Sequence, residues 1–177
     1  MTDPIFFDTD CLSAFLWVNN QSLLAQLYPG RVAIPDAVYS ELSNPHISHL
    51  RERVDAMISA GNARICDIQT GTAEYELYRK LTSNPSIGRM IIGRGEAAGI
   101  VLAKSRGGIL ASNNLRDISS YINEFSLQHV TTGDILKEAL EQGLITEDAG
   151  NQLWQGMLRK RRRLGYQTFS DFLASHT

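Results

Sequence analysis

Four acidic residues lie beside predicted buried segments, where a carboxylate is costly unless something compensates its charge. They are Asp8, Glu41, Glu96 and Asp117. Carboxylates that share a pocket as free anions raise one another's pKa sharply. A hard divalent cation such as Mg²⁺ or Mn²⁺ removes this repulsion, because it prefers oxygen ligands and keeps several waters. Such a site promotes in-line phosphoryl chemistry by activating water and stabilising the leaving oxygen.

The first three carboxylates each have a structural explanation as well. Asp8 or Asp10 can cap the helix predicted to follow the apolar run "PIFF". Glu41 falls beside the apolar stripe of "DAVYSEL", from where its side chain can extend into solvent. Glu96 lies in the first turn of the helix predicted at "GRGEAAGI", where the dipole favours negative charge. Taken singly, these residues leave a structural role and a functional role open.

Asp117 ends a polar stretch that follows another predicted strand, in "ILASNNLRD". Ser112, Asn113 and Asn114 crowd polar groups there, and an Asx-rich turn explains the two asparagines. Such a turn does not explain the aspartate after them. The four carboxylates therefore fall on four segments, and at least three lie near strand carboxyl ends or helix starts, which favours a common metal site.

Short apolar runs alternate with amphipathic segments, which predicts five strands with helices between them. The strands are predicted at "PIFF", "RVAI", "ARICDI", "ILAS" and "LQHVTT". The segment "CLSAFLWVNNQSLLAQL" predicts one helix with Asp10 as its N-cap. This alternation is typical of an α/β fold whose mostly parallel sheet is covered by helices on both faces. Ligands bind such sheets at the carboxyl ends of the strands, which is where Asp8 falls.

The predicted domain boundary lies between residues 133 and 134. A sheet domain spans residues 1–133, and residues 134–177 form a helical C-terminal extension packed on it. The net charge of −2 hides an asymmetry between −6 over residues 1–158 and +4 over residues 159–177, where "RKRRR" supplies every basic residue. A basic block can follow phosphates or end a solvated helix, and the composition alone leaves both open.

Composition also excludes several classes of protein. No basic segment followed by an apolar run opens the chain, and no apolar stretch approaches 18 residues, so we expect neither a signal peptide nor a membrane span. Cys11 and Cys66 lie far apart and match no metal or redox spacing, so we expect two reduced, buried thiols. The sequence therefore predicts a cytoplasmic protein without membrane contact.

Four motifs together resemble those of PIN-domain nucleases, particularly the VapC-type toxin ribonucleases and their relatives. The motifs are "FFDTDCLSAF", "IPDAVYSEL", "GRGEAAGIVLAKSRG" and "ILASNNLRDI". Each is short, and their order and spacing over roughly residues 4–131 carry the resemblance. It implies a PIN-like three-layer fold with a central, mostly parallel sheet flanked by helices.

The resemblance also implies roles for individual residues. It implies a catalytic quartet of Asp8, Glu41, Glu96 and Asp117, of which Asp8, Glu96 and Asp117 hold Mg²⁺ or Mn²⁺. Ser112 and Asn114 are the supporting polar residues. Asp10 stands where the family often has Asn, and we predict that it supports the site from outside the ligand set.

The activity implied by the resemblance is cleavage of single-stranded RNA by a metal-activated water, which leaves 5′-phosphate and 3′-hydroxyl ends. The family also implies a homodimer and, for its toxins, a cognate antitoxin. We predict that Arg94, Arg116, Arg159 and Arg161 contact the nucleic acid. The stretch from Ile47 to Met90 and the helices after Asp134 exceed the compact toxin pattern, which weakens the toxin–antitoxin role more than the nuclease fold.

Two other interpretations compete with the nuclease. A PIN-like fold can act as a catalytically silent scaffold or as a nucleic-acid-binding protein, because fold does not dictate function. The stretch "FDTDCL" also resembles the first motif of haloacid-dehalogenase phosphatases. That family needs a later acidic pair at a strand end, where this chain has Asn113 and Asn114.

Overall fold

The computed structural model describes residues 3–176, which form five strands and ten α-helices. The strands are β1 (Ile5–Phe7), β2 (Val32–Pro35), β3 (Arg64–Cys66), β4 (Ile109–Ala111) and β5 (Gln128–Val130). The helices are α1 (Thr9–Trp17), α2 (Ser22–Leu27), α3 (Asp36–Glu41), α4 (Ser48–Ser59), α5 (Ala73–Ser83), α6 (Arg94–Arg106), α7 (Leu115–Phe125), α8 (Thr132–Glu141), α9 (Glu147–Arg159) and α10 (Phe169–Ser175). A short 3₁₀ helix, Pro45–Ile47, precedes α4. The five predicted strands are confirmed.

The strands form one sheet in the order β3-β2-β1-β4-β5, and all four pairings are parallel. Ile5 of the central strand β1 lies opposite Val32 of β2 and Ile109 of β4. From β1 the chain builds outward to β3 on one side and then crosses to build β4 and β5 on the other. The order therefore reverses between β1 and β4, and the crevice outside the carboxyl ends of those two strands is the expected ligand site.

Helices cover both faces of the sheet, which confirms the predicted three-layer α/β fold. Alternate side chains of β1 point to opposite faces, so Ile5 and Phe7 join one apolar cluster while Phe6 joins another. The first cluster also takes residues from α1 to α4 and α8 to α10, and the second from α5, α6 and α7. Both clusters contain fully buried side chains, so the sheet is sandwiched between two hydrophobic layers.

The three C-terminal helices share the first of these layers with the sheet. Trp154, Phe169 and Phe172 are buried in the same cluster as Ile5 and Phe7. The Trp154 ring lies 5.9 Å from Phe169 and 5.7 Å from Phe172, measured between ring centroids. The extension is therefore packed on the sheet, while the domain boundary at residues 133 and 134 stays a prediction.

Two expectations for the first helix are wrong. The segment predicted as one helix forms α1 and α2, because Asn19 adopts a left-handed conformation (φ 54°) that ends the first helix and turns the chain. The N-cap of α1 is Asp8 rather than Asp10, since the Cys11 amide donates to Asp8 Oδ1 at 2.7 Å. Asp10 lies inside the first turn instead.

Within residues 3–176, none of the helices has the length and apolar character that crossing a membrane requires.

Candidate active site

The candidate site lies in the crevice where the strand order reverses. Asp8 directly follows β1, and its amide continues the sheet pairing by donating to the Ala111 carbonyl of β4 at 2.9 Å. Ser112 directly follows β4 in the same way, donating its amide to the Val130 carbonyl at 3.0 Å. Both side chains are fully buried. The parallel sheet therefore places the Asp8 carboxylate and the Ser112 hydroxyl side by side at one edge.

Asp8 has one carboxylate oxygen without a partner. Its Oδ1 accepts the Cys11 amide, but Oδ2 is buried and has no hydrogen bond of normal geometry from residues 3–176. Burial raises the pKa of Asp8 from 3.8 to about 7, and the Asp10 and Glu96 charges add to the rise. The Ser112 hydroxyl and the Cys11 amide oppose it. A buried oxygen left unpaired at a sheet edge is the kind of atom that a cation would satisfy.

Asn114 connects two further carboxylates. Its Nδ2 donates to Glu96 Oε1 at 2.6 Å and to Asp117 Oδ2 at 2.8 Å. Its backbone amide donates to the Ser112 hydroxyl at 3.3 Å, which ties it to the buried end of β4. One amide group thus holds carboxylates from the starts of α6 and α7 together. Three predicted site residues, Glu96, Asn114 and Asp117, are therefore in direct contact.

Glu96 also performs the structural role that its position predicts. It is the third residue of α6, and its Oε2 accepts the amide of the N-cap Gly93 at 3.1 Å. The carboxylate therefore caps α6 with one oxygen and faces Asn114 with the other. The capping explanation is correct but incomplete.

Glu41, the last residue of α3, bonds to both α6 and α1. Its Oε1 accepts the Gly95 amide at 3.1 Å, and its Oε2 accepts the Thr9 hydroxyl. A Cβ at Gly95 would overlap that hydroxyl and would lie 3.2 Å from a Val38 methyl carbon. Glycine at position 95 is therefore what allows α6 to approach α1 and α3 closely enough for Glu41 to bind its start.

Asp10 has a partner from the far end of the chain. Arg162 Nη1 lies 3.0 Å from Asp10 Oδ1 and also donates to the Ser13 hydroxyl at 3.0 Å. Burial raises the pKa of Asp10, while the charges of Arg162 and Arg163 oppose the rise. The extra negative charge near the site is thus neutralised by the C-terminal basic block rather than left for a metal.

The four arginines predicted to contact nucleic acid differ in position. Arg94 and Arg116 are exposed and are sequence neighbours of the acidic cluster, which we define as Asp8, Glu41, Glu96 and Asp117. Arg94 lies at the start of α6, and Arg116 lies beside Asp117. Arg159 instead lines a separate cavity that it shares with Trp17, and Arg161 is exposed. RNA contacts by all four stay predictions.

Sequence reasoning missed the residues that brace the site. Thr9 fixes Glu41, and the Asn113 side chain bonds the Thr132 amide at 2.8 Å and its hydroxyl at 2.9 Å. His129 Nε2 lies 3.0 Å from the Ser112 carbonyl. The position of Thr9 between the two aspartates of "DTD" is a sequence signal that could have identified it. The partner of Asn113 lies 19 residues away, so no local pattern marks it.

The donor set matches a hard divalent cation in its chemistry, since every candidate ligand is an oxygen. The side chains of residues 3–176 nevertheless contain no group of three His, Cys, Asp or Glu placed closely enough to hold an ion. The Asn114 amide lies between the carboxylates of Glu96 and Asp117. The Oδ2 of Asp8 is the observation in favour of the fit, because a cation compensates a buried carboxylate oxygen that has no hydrogen bond of normal geometry from residues 3–176.

Comparison with known proteins gives one match. A protein-family model for a PIN domain matches residues 4–177. The match extends through α8, α9 and α10, beyond the stretch of roughly residues 4–131 over which the motif resemblance runs. No curated protein and no solved structure matches the chain.

Proposed function

The chain belongs to the PIN-domain family, whose members are in general nucleases, and we propose that it is a divalent-metal-dependent endoribonuclease that cleaves single-stranded RNA. One observation carries the proposal. Asp8 is completely buried at the switch point of the sheet with one oxygen unpaired, and three other acidic residues lie on the elements around it. Such an arrangement is unfavourable for folding alone, which supports a role in chemistry.

Asp8, Glu96 and Asp117 are the residues that would hold Mg²⁺ or Mn²⁺. When bound, such an ion lowers the pKa of water and compensates the negative charge that develops on a phosphodiester during hydrolysis. The metal dependence of PIN nucleases in general supports this assignment, as does the all-oxygen donor set.

The residues of the chain contribute positioning and charge. Asn114 keeps Glu96 and Asp117 side by side, and Glu41 holds the first turn of α6 through the Gly95 amide. The rigid sheet end fixes Asp8, because its amide remains in the β1–β4 pairing. Preorganisation of this kind lowers the cost of gathering charged groups around a substrate.

Arg94 and Arg116 are the exposed cations nearest in sequence to the cluster, and we propose that they pair with phosphate oxygens on either side of the scissile bond. The choice of single-stranded RNA, the homodimer and the role as toxin of a toxin–antitoxin pair are carried over from the motif resemblance alone.

A catalytically silent scaffold is the second candidate. It is favoured by the absence of three converging metal-ligand side chains within residues 3–176. A scaffold of this kind needs neither Mn²⁺ nor the Asp8 charge, so metal dependence separates the two candidates.

Cleavage of a mixed single-stranded RNA pool tests the proposal. We expect cleavage by the wild type with Mn²⁺ or Mg²⁺, none after chelation, and 5′-phosphate and 3′-hydroxyl product ends. Asp117→Asn should lower the rate at least about 10²-fold, the range typical of losing one charge-stabilising group. Asp148→Asn is the matched control, since Asp148 is exposed in the first turn of α9. Equal rates in all three proteins, or cleavage that survives chelation, would contradict the proposal.

A further inference from the structure

A cavity of about 340 Å³ opens next to the acidic cluster. It lies between α3, the end of β3, α5 and the start of α6, and Glu41 lines it. Its volume falls at the lower end of the range for small-ligand sites, roughly 300–1,000 Å³. Glu41 thus belongs both to the cluster, through its bond to the Gly95 amide, and to the wall of this cavity.

Two tyrosines of α5 form the aromatic side of the cavity. Tyr75 and Tyr78 are three residues apart, which places them on one face of the helix, and both are half-buried. Within residues 3–176 neither phenolic hydroxyl makes a hydrogen bond to the protein, so both are free to bind a ligand. The small buried side chains of Cys66 and Ala98 complete the lining on the inner side. This combination offers flat apolar surface with polar groups at its edge.

The rim of the cavity is acidic. Asp36, Glu41 and Asp67 line it, and Arg94 is the one cation that residues 3–176 place in its lining. An excess of carboxylates disfavours a phosphate inside the cavity. The same carboxylates accept hydrogen bonds from exocyclic amino groups, as acidic side chains do with cytosine N4. The lining therefore favours a flat, uncharged ring that carries amino donors.

We propose that this cavity binds one nucleobase of the RNA strand, stacked on Tyr75 or Tyr78, and that it prefers adenine or cytosine to uracil; this rests on the proposed nuclease function. Single-stranded RNA is recognised in this way by proteins in general, with unstacked bases on aromatic rings and hydrogen bonds to their polar edges. Uracil has no exocyclic amino group, and its edge donor, N3–H, lies between two carbonyl oxygens, which the acidic rim repels.

Arg94 links the cavity to the cluster. It is the first residue of α6, it is exposed, and it lines the cavity two residues before Glu96. A base in the cavity thus leaves its attached phosphate near a cation at the boundary between cavity and cluster. The cavity then sets which nucleotide lies beside the cleaved bond.

Binding measured without cleavage tests this assignment. The probes are fluorescently labelled oligoadenylate and oligouridylate, and the protein carries Asp8→Asn in chelator so that no turnover occurs. We expect tighter binding of oligoadenylate. Replacing both rings with Tyr75→Ala and Tyr78→Ala should raise its Kd by about 5- to 150-fold, the value for losing one base–aromatic stack. Tyr78→Phe keeps the ring and loses only the hydroxyl, so it should raise the Kd much less than the double variant does.

Leu77→Ala is the matched control for loss of helix packing. Leu77 lies on the same helix and packs against the second apolar cluster without lining the cavity. Equal loss of RNA binding in Leu77→Ala and in the double tyrosine variant would assign the effect to a damaged α5 and overturn the inference. Unchanged Kd values in the double variant, equal binding of both probes, or no binding of oligoadenylate by the parent would also overturn it.

Failure of the cavity assignment differs from failure of the nuclease function. Metal-dependent cleavage by the wild type together with unchanged binding in the tyrosine variants removes only the cavity inference. Ring-dependent binding of oligoadenylate without any cleavage supports the cavity and removes the nuclease.

Discussion

The starts of α1 and α6 place acidic residues at the same crevice but treat their charges differently. At α6, both oxygens of Glu96 have partners, the Gly93 amide and the Asn114 side chain. At α1, Asp8 is fully buried, and among the described residues only its Oδ1 has a hydrogen-bond donor. Helix capping explains one oxygen of Glu96, and Asn114 binds the other. Helix capping likewise explains Oδ1 of Asp8, but Oδ2 has no partner among residues 3–176.

Helix capping therefore explains why a carboxylate stands at position 96, but it does not explain why the Asp8 charge is buried. Glu96 stabilises the start of α6 by accepting the Gly93 amide, and its charge remains partly in water. Asp8 opposes folding whenever it is ionised without a cation, because burial disfavours its charged form. Positions that conflict with stability in this way tend to be functional, so Asp8 is the residue on which the proposed metal site depends most.

The largest effect is expected from removing the Asp8 charge in chelated protein. The pKa of Asp8 is raised to about 7 in the fold, so the folded state binds more protons than the unfolded state between about pH 4 and 7. Its contribution to the free energy of unfolding therefore falls as pH rises through that window, by on the order of 4 kcal/mol. Urea unfolding at several pH values should show no such fall for Asp8→Asn. Above pH 7 the free energy of unfolding of this variant should exceed that of the wild type.

Glu96→Gln is the comparison at the other helix start. The substitution replaces the capping carboxylate with a neutral side chain of the same shape. We therefore expect the free energy of unfolding to fall by less than about 1 kcal/mol. A stability difference between Asp8→Asn and wild type that stays flat from pH 4 to 8 would show that Asp8 is not the buried, raised-pKa group described above.

The next effect concerns the close approach that Gly95 permits. In Gly95→Ala the new methyl group would overlap the Thr9 hydroxyl and crowd Val38. We expect urea unfolding to show a free energy of unfolding lower by about 1–3 kcal/mol, the usual range for overpacking. We also expect reduced RNA cleavage. Gly93→Ala is the control, because its nearest contact is a Glu96 oxygen at 3.3 Å and its φ of −62° suits alanine. Equal stability of the two variants would contradict the packing at the start of α6.

The smallest effect concerns the charge next to Asp8. Arg162→Met leaves the half-buried Asp10 without its ion pair, and we expect a loss of about 1 kcal/mol, since the pair is partly exposed. Arg161→Met should change stability less, because Arg161 is exposed and forms no ion pair with a carboxylate of residues 3–176. Adding Asp10→Asn to Arg162→Met should restore part of the loss. A double-mutant cycle with no coupling would remove the proposed link between the C terminus and the site.

Much of the fold could be predicted because its signals are local. Apolar runs such as "PIFF" and the acidic first turn of the helix at "GRGEAAGI" can be identified within a few residues. The break between α1 and α2 was missed because apolar residues continue at helical spacing across Asn19. The spacing of apolar residues does not indicate that Asn19 adopts a left-handed conformation.

The site was predictable in its residue types rather than in its contacts. The four acidic positions stand out by type and place, but the bonds that join them span 18 residues for Asn114 and Glu96 and 54 for Gly95 and Glu41. The pair between Asp10 and Arg162 spans 152 residues. Contacts over such distances follow from the sheet order and from the packing of α8 to α10, which local periodicity does not determine.

Mn²⁺ binding measured by calorimetry tests the central claim most directly. The samples are wild type, Asp8→Asn and the exposed control Asp148→Asn, each first shown to be folded by circular dichroism. We predict that wild type and Asp148→Asn bind Mn²⁺ and that Asp8→Asn loses the binding heat. Folded wild type that binds no Mn²⁺, or an Asp8→Asn variant that binds as tightly as wild type, would contradict the assignment of Asp8 to a metal site.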